Sequence, residues 1–242
     1  LTGISVELID LSRVTLSQID PHISNMAGLQ GHDTASGLLV NIDYAFGQQA
    51  EEILSILLTL FGSSVRSVNI LGKAGGLAGK RGDILVANSF VEQTQEILSD
   101  LPGINACELD LLREAVPDRS VYEGPVLTVA GTLLQNRVLL NFYKKIWGCV
   151  GLEMEGTYYL RELKKAMHLG VIPNDIDMRF VYYISDVPLA TGESLAGAML
   201  PEEGIPPLYA ITREILASVI KGSLHHEEPS TLQDPENASQ TS

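Results

Sequence analysis

Apolar positions along this 242-residue chain switch repeatedly between two periods. GLLVNID (37–43) is rich in apolar and β-branched residues and predicts a strand. Ala50, Ile53, Leu54, Leu57, Leu58 and Phe61 then recur at helical spacing. VRSVNILG (65–72) predicts a strand that runs into a glycine loop, and GDILVANSF (82–90) predicts another strand. VEQTQEILSDL (91–101) and CELDLLREAV (107–116) predict helices. PVLTVAG (125–131) reads as a strand, LLQNRVLLNFYKKIW (133–147) as a helix and CVGLEM (149–154) as a short strand. Leu160, Leu163 and Met167 form one face of a helix that Gly170 ends as the residue past the C-cap. MRFVYYIS (178–185) is a strand apolar on both faces. Leu208, Ile211, Ile215 and Val219 make a last amphipathic helix, closed by Gly222.

Near-continuous apolar strands alternating with helices imply a buried sheet covered on both faces. The expected fold class is therefore α/β, a three-layer αβα arrangement around a central mixed, mostly parallel sheet. In such folds ligands bind beyond the carboxyl ends of strands. Four segments lie where strands should stop: KAGGLAGKRGD (73–83), AGTLLQN (130–136), LEMEG (152–156) and SDVPLATGES (185–194).

Composition narrows the classes. The formal net charge of −14 argues against nucleic acid as the main partner, because phosphate backbones need a basic surface. The densest apolar run, ILSILLTLF (53–61), is about half of the ~20 residues that span a bilayer, so no membrane partner is expected. Two cysteines, Cys107 and Cys149, are too few for a disulfide framework and show no zinc spacing. A reducing, cytoplasmic setting follows as the mild expectation. The first basic residue is Arg13, which gives no charged start for a signal peptide, and the start at Leu1 suits a piece of a longer protein. Residues 223–242 hold four acids, no Lys or Arg, no aromatic residue and two Leu. They read as a disordered acidic tail in which His225 and His226 are solvated. The expected division is an N-terminal segment 1–36, incomplete as it stands, a main domain 37–222 and the tail.

Each strand end has a bland and a sharp reading. Gly75, Gly76, Gly79 and Gly82 let backbone N–H groups approach a ligand, and Lys73, Lys80 and Arg81 put three of sixteen basic residues within nine positions. Neither a P-loop nor a dinucleotide fingerprint is present, so the bare loop also suits a tight turn. Asp186 follows an apolar strand, where a carboxyl group beside a low-polarity cavity can carry a proton to a leaving group. Ser185 and Asp186 also suit a helix N-cap. Glu153 and Glu155 lie two apart at a strand-to-helix change. They suit either a helix-start charge or a carboxylate that grips neighbouring hydroxyls.

The order GKAGGL…GD, LEMEG and ISD, each at a strand end, resembles the nucleoside phosphorylase and nucleosidase superfamily, which includes purine nucleoside phosphorylases and methylthioadenosine/S-adenosylhomocysteine nucleosidases. The nucleosidase pattern is GSAGGL, a GD-started strand, VEMEG or DMEGAA, then RAISD. The resemblance covers roughly residues 37–222. It implies the phosphorylase/hydrolase-like fold and cleavage of the N-glycosidic bond of a purine nucleoside by phosphate or water. By that resemblance Glu155 binds the ribose hydroxyls and Met154 packs on the sugar. Asp186 is the acid to the departing base, positioned by Ser185, while Ala74 and Gly75 line the base and ribose. Glu153 remains a pocket-wall neighbour or a structural acid.

The chain also departs from the pattern. Neither the water-activating glutamate of nucleosidases nor the phosphate-binding Gly and Arg of phosphorylases is found in residues 1–37. Lys73 stands where the family carries a small hydroxyl residue, which suits a phosphate contact or occupation of the nucleophile's place. Leu133 and Leu134 fill the segment that stacks on the base, and Thr157, Tyr158 and Tyr159 replace small residues after EMEG. Phe46 and Gly47, in YAFGQQA (44–50), border the sugar side or belong to the core. An enzyme acting on a small-molecule nucleoside is the first expectation. The alternative is a catalytically inactive nucleoside- or nucleotide-binding module of a larger regulatory protein. No cofactor or metal is called for, inorganic phosphate is a candidate co-substrate, and a homo-oligomer is expected by resemblance.

Overall fold

The computed structural model describes residues 3–30, 34–130, 136–190 and 199–225. Its centre is a six-stranded mixed sheet. The strands are β4 (Ser67–Gly76), β5 (Ile84–Glu92), β6 (Ile97–Asp100), β7 (Val121–Thr128), β8 (Gly151–Glu153) and β9 (Asp177–Asp186). Their order is β6-β5-β7-β8-β4-β9, and β9 also pairs with β5. The sheet therefore curls until β9 closes onto β5, through Ile84 opposite Tyr183 and Val86 opposite Val181, and β6 is left as a flap beyond β5. β5, β7 and β8 run parallel to one another, as do β4 and β9. The two groups meet antiparallel at β4–β8 and β5–β9.

Helices cover the sheet: α2 (Gly47–Phe61), α3 (Leu109–Ala115), α4 (Arg137–Ile146), α5 (Gly156–His168) and α6 (Pro201–Gly222). The spacing that predicts α2 buries Ala50, Leu54 and Leu58, and the two leucines pack against Leu160, Leu163 and Met167 of α5 and Phe180 of β9. Phe90 and Phe180 meet edge to face at 5.2 Å, a geometry that adds about 0.5–1.5 kcal/mol beyond area burial. A second cluster joins α3 and α6 to the sheet through Leu112, Ala210 and Ile211 against Val86 and Val181. A third seats α4, with Leu140 and Tyr143, on Leu127 and Leu152.

One predicted element is wrong. Residues 91–101 are not a helix: β5 continues to Glu92, a turn follows, and β6 returns antiparallel with Ile97 opposite Glu92. Glu96 sits at φ 52°, and the apolar pair Ile97 and Leu98 faces a strand partner rather than a helix stripe. Sheet pairing overrides local helix propensity here. The strand predicted at 37–43 exists, as β3 (Leu38–Ile42), but lies outside the central sheet, paired with β1 (Val6–Asp10). The N-terminal segment is tied to the far end of the chain. Helix α1 (Pro21–Ala27) packs Ile23 and Ala27 on Ala217 and Ile220 of α6, and Arg213 pairs with Asp20 at 3.0 Å. Leu224 and His225, counted in the tail, form β10 against β2 (Thr34–Ala35). Residues 226–242, and with them His226 and the rest of the expected tail, lie outside the described residues.

Candidate functional site

The glycine run after Lys73 is not a loop. Lys73, Ala74, Gly75 and Gly76 are the last residues of β4, and the turn comes afterwards. Asp83 closes that turn, its carboxylate accepting from the backbone N–H of Lys80 at 2.9 Å and of Ser120 at 3.0 Å. Gly75 is where three strands converge: it lies opposite Leu152 of β8 and Asp186 of β9. The β4–β9 register skips Ser185, which passes from Ala74–Ile184 directly to Gly75–Asp186. A Cβ on Gly75 would sit 3.2 Å from Leu152 and Pro188 and 3.3 Å from Asp186 Oδ2. Glycine thus lets the Asp186 carboxylate lie close above the backbone.

Asp186 caps no helix among the described residues, so the N-cap reading falls. Its Oδ1 accepts a 2.8 Å hydrogen bond from the Ser185 hydroxyl, which also reaches the carbonyl of Ala74 at 3.4 Å. Ala74 is buried. Lys73 is exposed on β4, opposite Tyr183.

The two acids of LEMEG divide the two readings between them. Glu153 is 4% exposed and takes the helix-start role. One oxygen accepts from the backbone N–H of Glu155 at 2.7 Å and from that of Gly156; the other accepts from the Thr128 hydroxyl. Thr128 in turn accepts from the backbone N–H of Thr157 at 3.1 Å. Burial pushes the Glu153 carboxyl up to about 7, despite these donors, and the Glu155 charge pushes the same way. Gly156 is obligatory for a separate reason: a Cβ there would lie 2.1 Å from the Phe90 ring.

Glu155 is the residue before α5 and makes no side-chain cap. Its pKa is raised, chiefly by burial, while the nearby backbone N–H groups of Gly47 and Met154 favour its charge. Its Oε1 is buried and has no hydrogen-bond partner. An orphaned carboxylate oxygen is costly and needs an explanation. Met154 beside Glu155 is 37% exposed.

Of Phe46 and Gly47, the structure brings one to the site, and sequence reasoning missed a further contributor, Tyr182. Gly47, at φ 49°, starts α2 and brings its N–H to Glu155. Phe46 is not core but 60% exposed, edge to face with Tyr44 at 5.2 Å. Tyr182 is buried with its hydroxyl unpartnered. The signal for it was present, since a phenol on a strand apolar on both faces must find a partner for its O–H. Leu133 and Leu134 lie outside the described residues. No helix is long and apolar enough to cross a membrane among the described residues.

The family of unknown function DUF6909 matches residues 1–221. No curated protein matches the chain in sequence. Among solved structures, it is similar to the 5′-methylthioadenosine/S-adenosylhomocysteine nucleosidase of Colwellia psychrerythraea 34H in complex with adenine, at 15% identity and TM-score 0.53, over 84% of this chain and 92% of that one. The futalosine hydrolase of Helicobacter pylori strain 26695 matches at 18% identity and TM-score 0.52, over 81% and 91%. The AMP nucleosidase of Bacteroides thetaiotaomicron matches at 19% identity and TM-score 0.50, over 81% and 82%. At these identities the likeness is one of fold. The chain belongs to the family of unknown function DUF6909, and its fold is that of the nucleoside phosphorylases and nucleosidases.

Proposed function

We propose that this protein cleaves the N-glycosidic bond of a purine nucleoside. One observation carries the reading: Glu153 and Thr128 cap the start of α5, and the buried Oε1 of Glu155 is left without a partner. Packing does not require a second buried carboxylate there; a ligand with hydroxyl groups does. Glu155 accepts from the ribose hydroxyls, and Met154 packs on the sugar. Asp186, oriented by Ser185 and admitted by Gly75, supplies a proton to the purine N7. The electron pair of the bond passes to the base as positive charge builds on the sugar. Carboxylate charge near that sugar stabilises the developing cation. Ala74 and Gly75 form the floor beneath base and ribose. Water or phosphate then adds to the sugar carbon, and Lys73, exposed on β4, is the candidate phosphate contact.

The test is base release. Adenosine, inosine, guanosine, uridine and methylthioadenosine are each incubated with the protein, with and without phosphate, and free base is quantified by chromatography. Purine release is expected, falling about 10²–10⁴-fold in Asp186→Asn, the range for loss of a general acid. Dependence on phosphate identifies a phosphorylase, and independence a nucleosidase. Tight binding of a nucleoside without release would leave a silent binding module, for which the departures at Lys73 and in residues 1–37 speak.

A further inference from the structure

The segment YYISD differs from the family pattern RAISD at its first two positions, and Tyr182 fills the place of the arginine. Tyr182 lies in β9 between Gly72 of β4 and Leu85 of β5. Its ring lies against Gly72, where a Cβ would come within 3.1 Å. The residue is 2% exposed, yet its hydroxyl has no hydrogen-bond partner. Burial, with the neighbouring charges of Glu153 and Glu155 and the phenol of Tyr159, holds this hydroxyl protonated, well above the ordinary phenol range. It is thus a donor that faces carboxylates without bonding to them.

Unmade hydrogen bonds therefore lie on one face of the sheet: the O–H of Tyr182, which packs in one cluster with Tyr159 and Leu160 of α5, and, at the start of that helix, Glu155 Oε1 and Thr157 Oγ1. The Tyr182 hydroxyl and Glu155 Oε1 do not close on each other. A donor and an acceptor held apart suit a group that accepts from one and donates to the other. A hydroxyl does both.

We propose that Tyr182 and Glu155 form a hydroxyl-reading pair that makes the site selective for ribonucleosides over one class of deoxynucleoside. The inference rests on the nucleoside-cleaving reading above and adds Tyr182 as a specificity-determining residue. The sugar hydroxyl donates to Glu155 Oε1 and accepts from Tyr182. A substrate lacking that hydroxyl leaves both buried groups unpaired, the situation in which discrimination by a site is greatest.

The experiment is calorimetric titration of the full chain with adenosine, inosine and guanosine and with their 2′-deoxy and 3′-deoxy forms. Wild-type protein should bind at least one ribonucleoside about tenfold or more tightly than one of its deoxy forms, the size of a single hydrogen bond. Tyr182→Phe keeps the ring and removes only the hydroxyl. It should lose about tenfold for the ribonucleoside while keeping its affinity for that deoxy form. Glu155→Gln should reduce the same preference, and the double variant should lose less than the two single losses combined. Wild-type binding that does not distinguish the sugars overturns the inference and leaves the cleavage reading intact. So does a Tyr182→Phe protein with the wild-type preference, whatever its unfolding temperature. Binding of no nucleoside by the wild type overturns both.

Discussion

Two carboxylates on opposite sides of the sheet, the fully buried Glu214 and the half-buried Glu155, show what separates a structural acid from a binding acid. Glu214 of α6 is fully buried and faces the Arg179 guanidinium of β9 at 3.6 Å. It also accepts from the backbone N–H of Glu108 at 3.1 Å and from the Ser218 hydroxyl at 3.3 Å. Arg179 is held by Asn69 at 3.2 Å and Asp177 at 3.4 Å. This is a lock between the last helix and the sheet, and Cys107 leans on it: burial and the Glu214 charge raise its thiol far above the usual range. Glu214 Oε2 has no hydrogen-bond partner either, so what sets the acid at the start of α5 apart is the lack of a paired cation. Among the described residues no Lys or Arg pairs with Glu155, and its neighbours are another acid and two phenols. A charge answered by a cation belongs to the fold; one left open is available to a ligand.

The sharpest way to break this contrast is to remove the cation. Arg179→Met strands Glu214 and should destabilise the protein by about 3–5 kcal/mol, the cost of breaking a buried pair. Glu155→Gln, by contrast, removes a charge without a cation and should change stability by less than about 1 kcal/mol while weakening nucleoside binding. Denaturant unfolding of both variants, with nucleoside titrations, checks the pair. A stability loss in Glu155→Gln as large as that of Arg179→Met would erase the distinction.

The next effect is pH-dependent and belongs to Glu153. Its folded pKa, about 7, lies above the ordinary value of 4.5, so the folded state holds a proton that the unfolded state has released. The contribution is fully present below about pH 4.5 and is lost as pH rises to 7, by on the order of 3 kcal/mol. Unfolding free energies measured from pH 4 to 8 should decline across that window, and Glu153→Gln should flatten the decline.

The smallest effect concerns orientation of the acid. Ser185→Ala removes the hydroxyl that fixes Asp186 and should lower base release about tenfold, for a stability change near 1 kcal/mol. Unchanged turnover would show that Asp186 is held by its strand alone.

Much of the fold was legible because burial imposes a period. Leu160, Leu163 and Met167, or Leu54 and Leu58, must face one way on a helix, and they do. The failure at 91–101 has the opposite cause: Glu92, Thr94, Gln95 and Glu96 give a polar stretch with no strong period, so the partner strand decided it. At the site, Glu155 and Asp186 could be singled out as acids at strand ends. Which acid of LEMEG served the helix could not, because the answer lies in Thr128, 25 residues upstream in the chain.

The sequence by itself determined that strands alternate with helices, that glycines stand at Gly75 and Gly156, and that acids stand at positions 153, 155 and 186. Those are consequences of side-chain period, size and charge, which each residue carries with it. Only the tertiary structure decided that β9 closes the sheet onto β5, that Glu153 is spent on backbone N–H groups, and that Glu155 and Tyr182 are not. Hydrogen bonds are satisfied between partners distant in sequence, and an unsatisfied one can be seen only when every neighbour is in place.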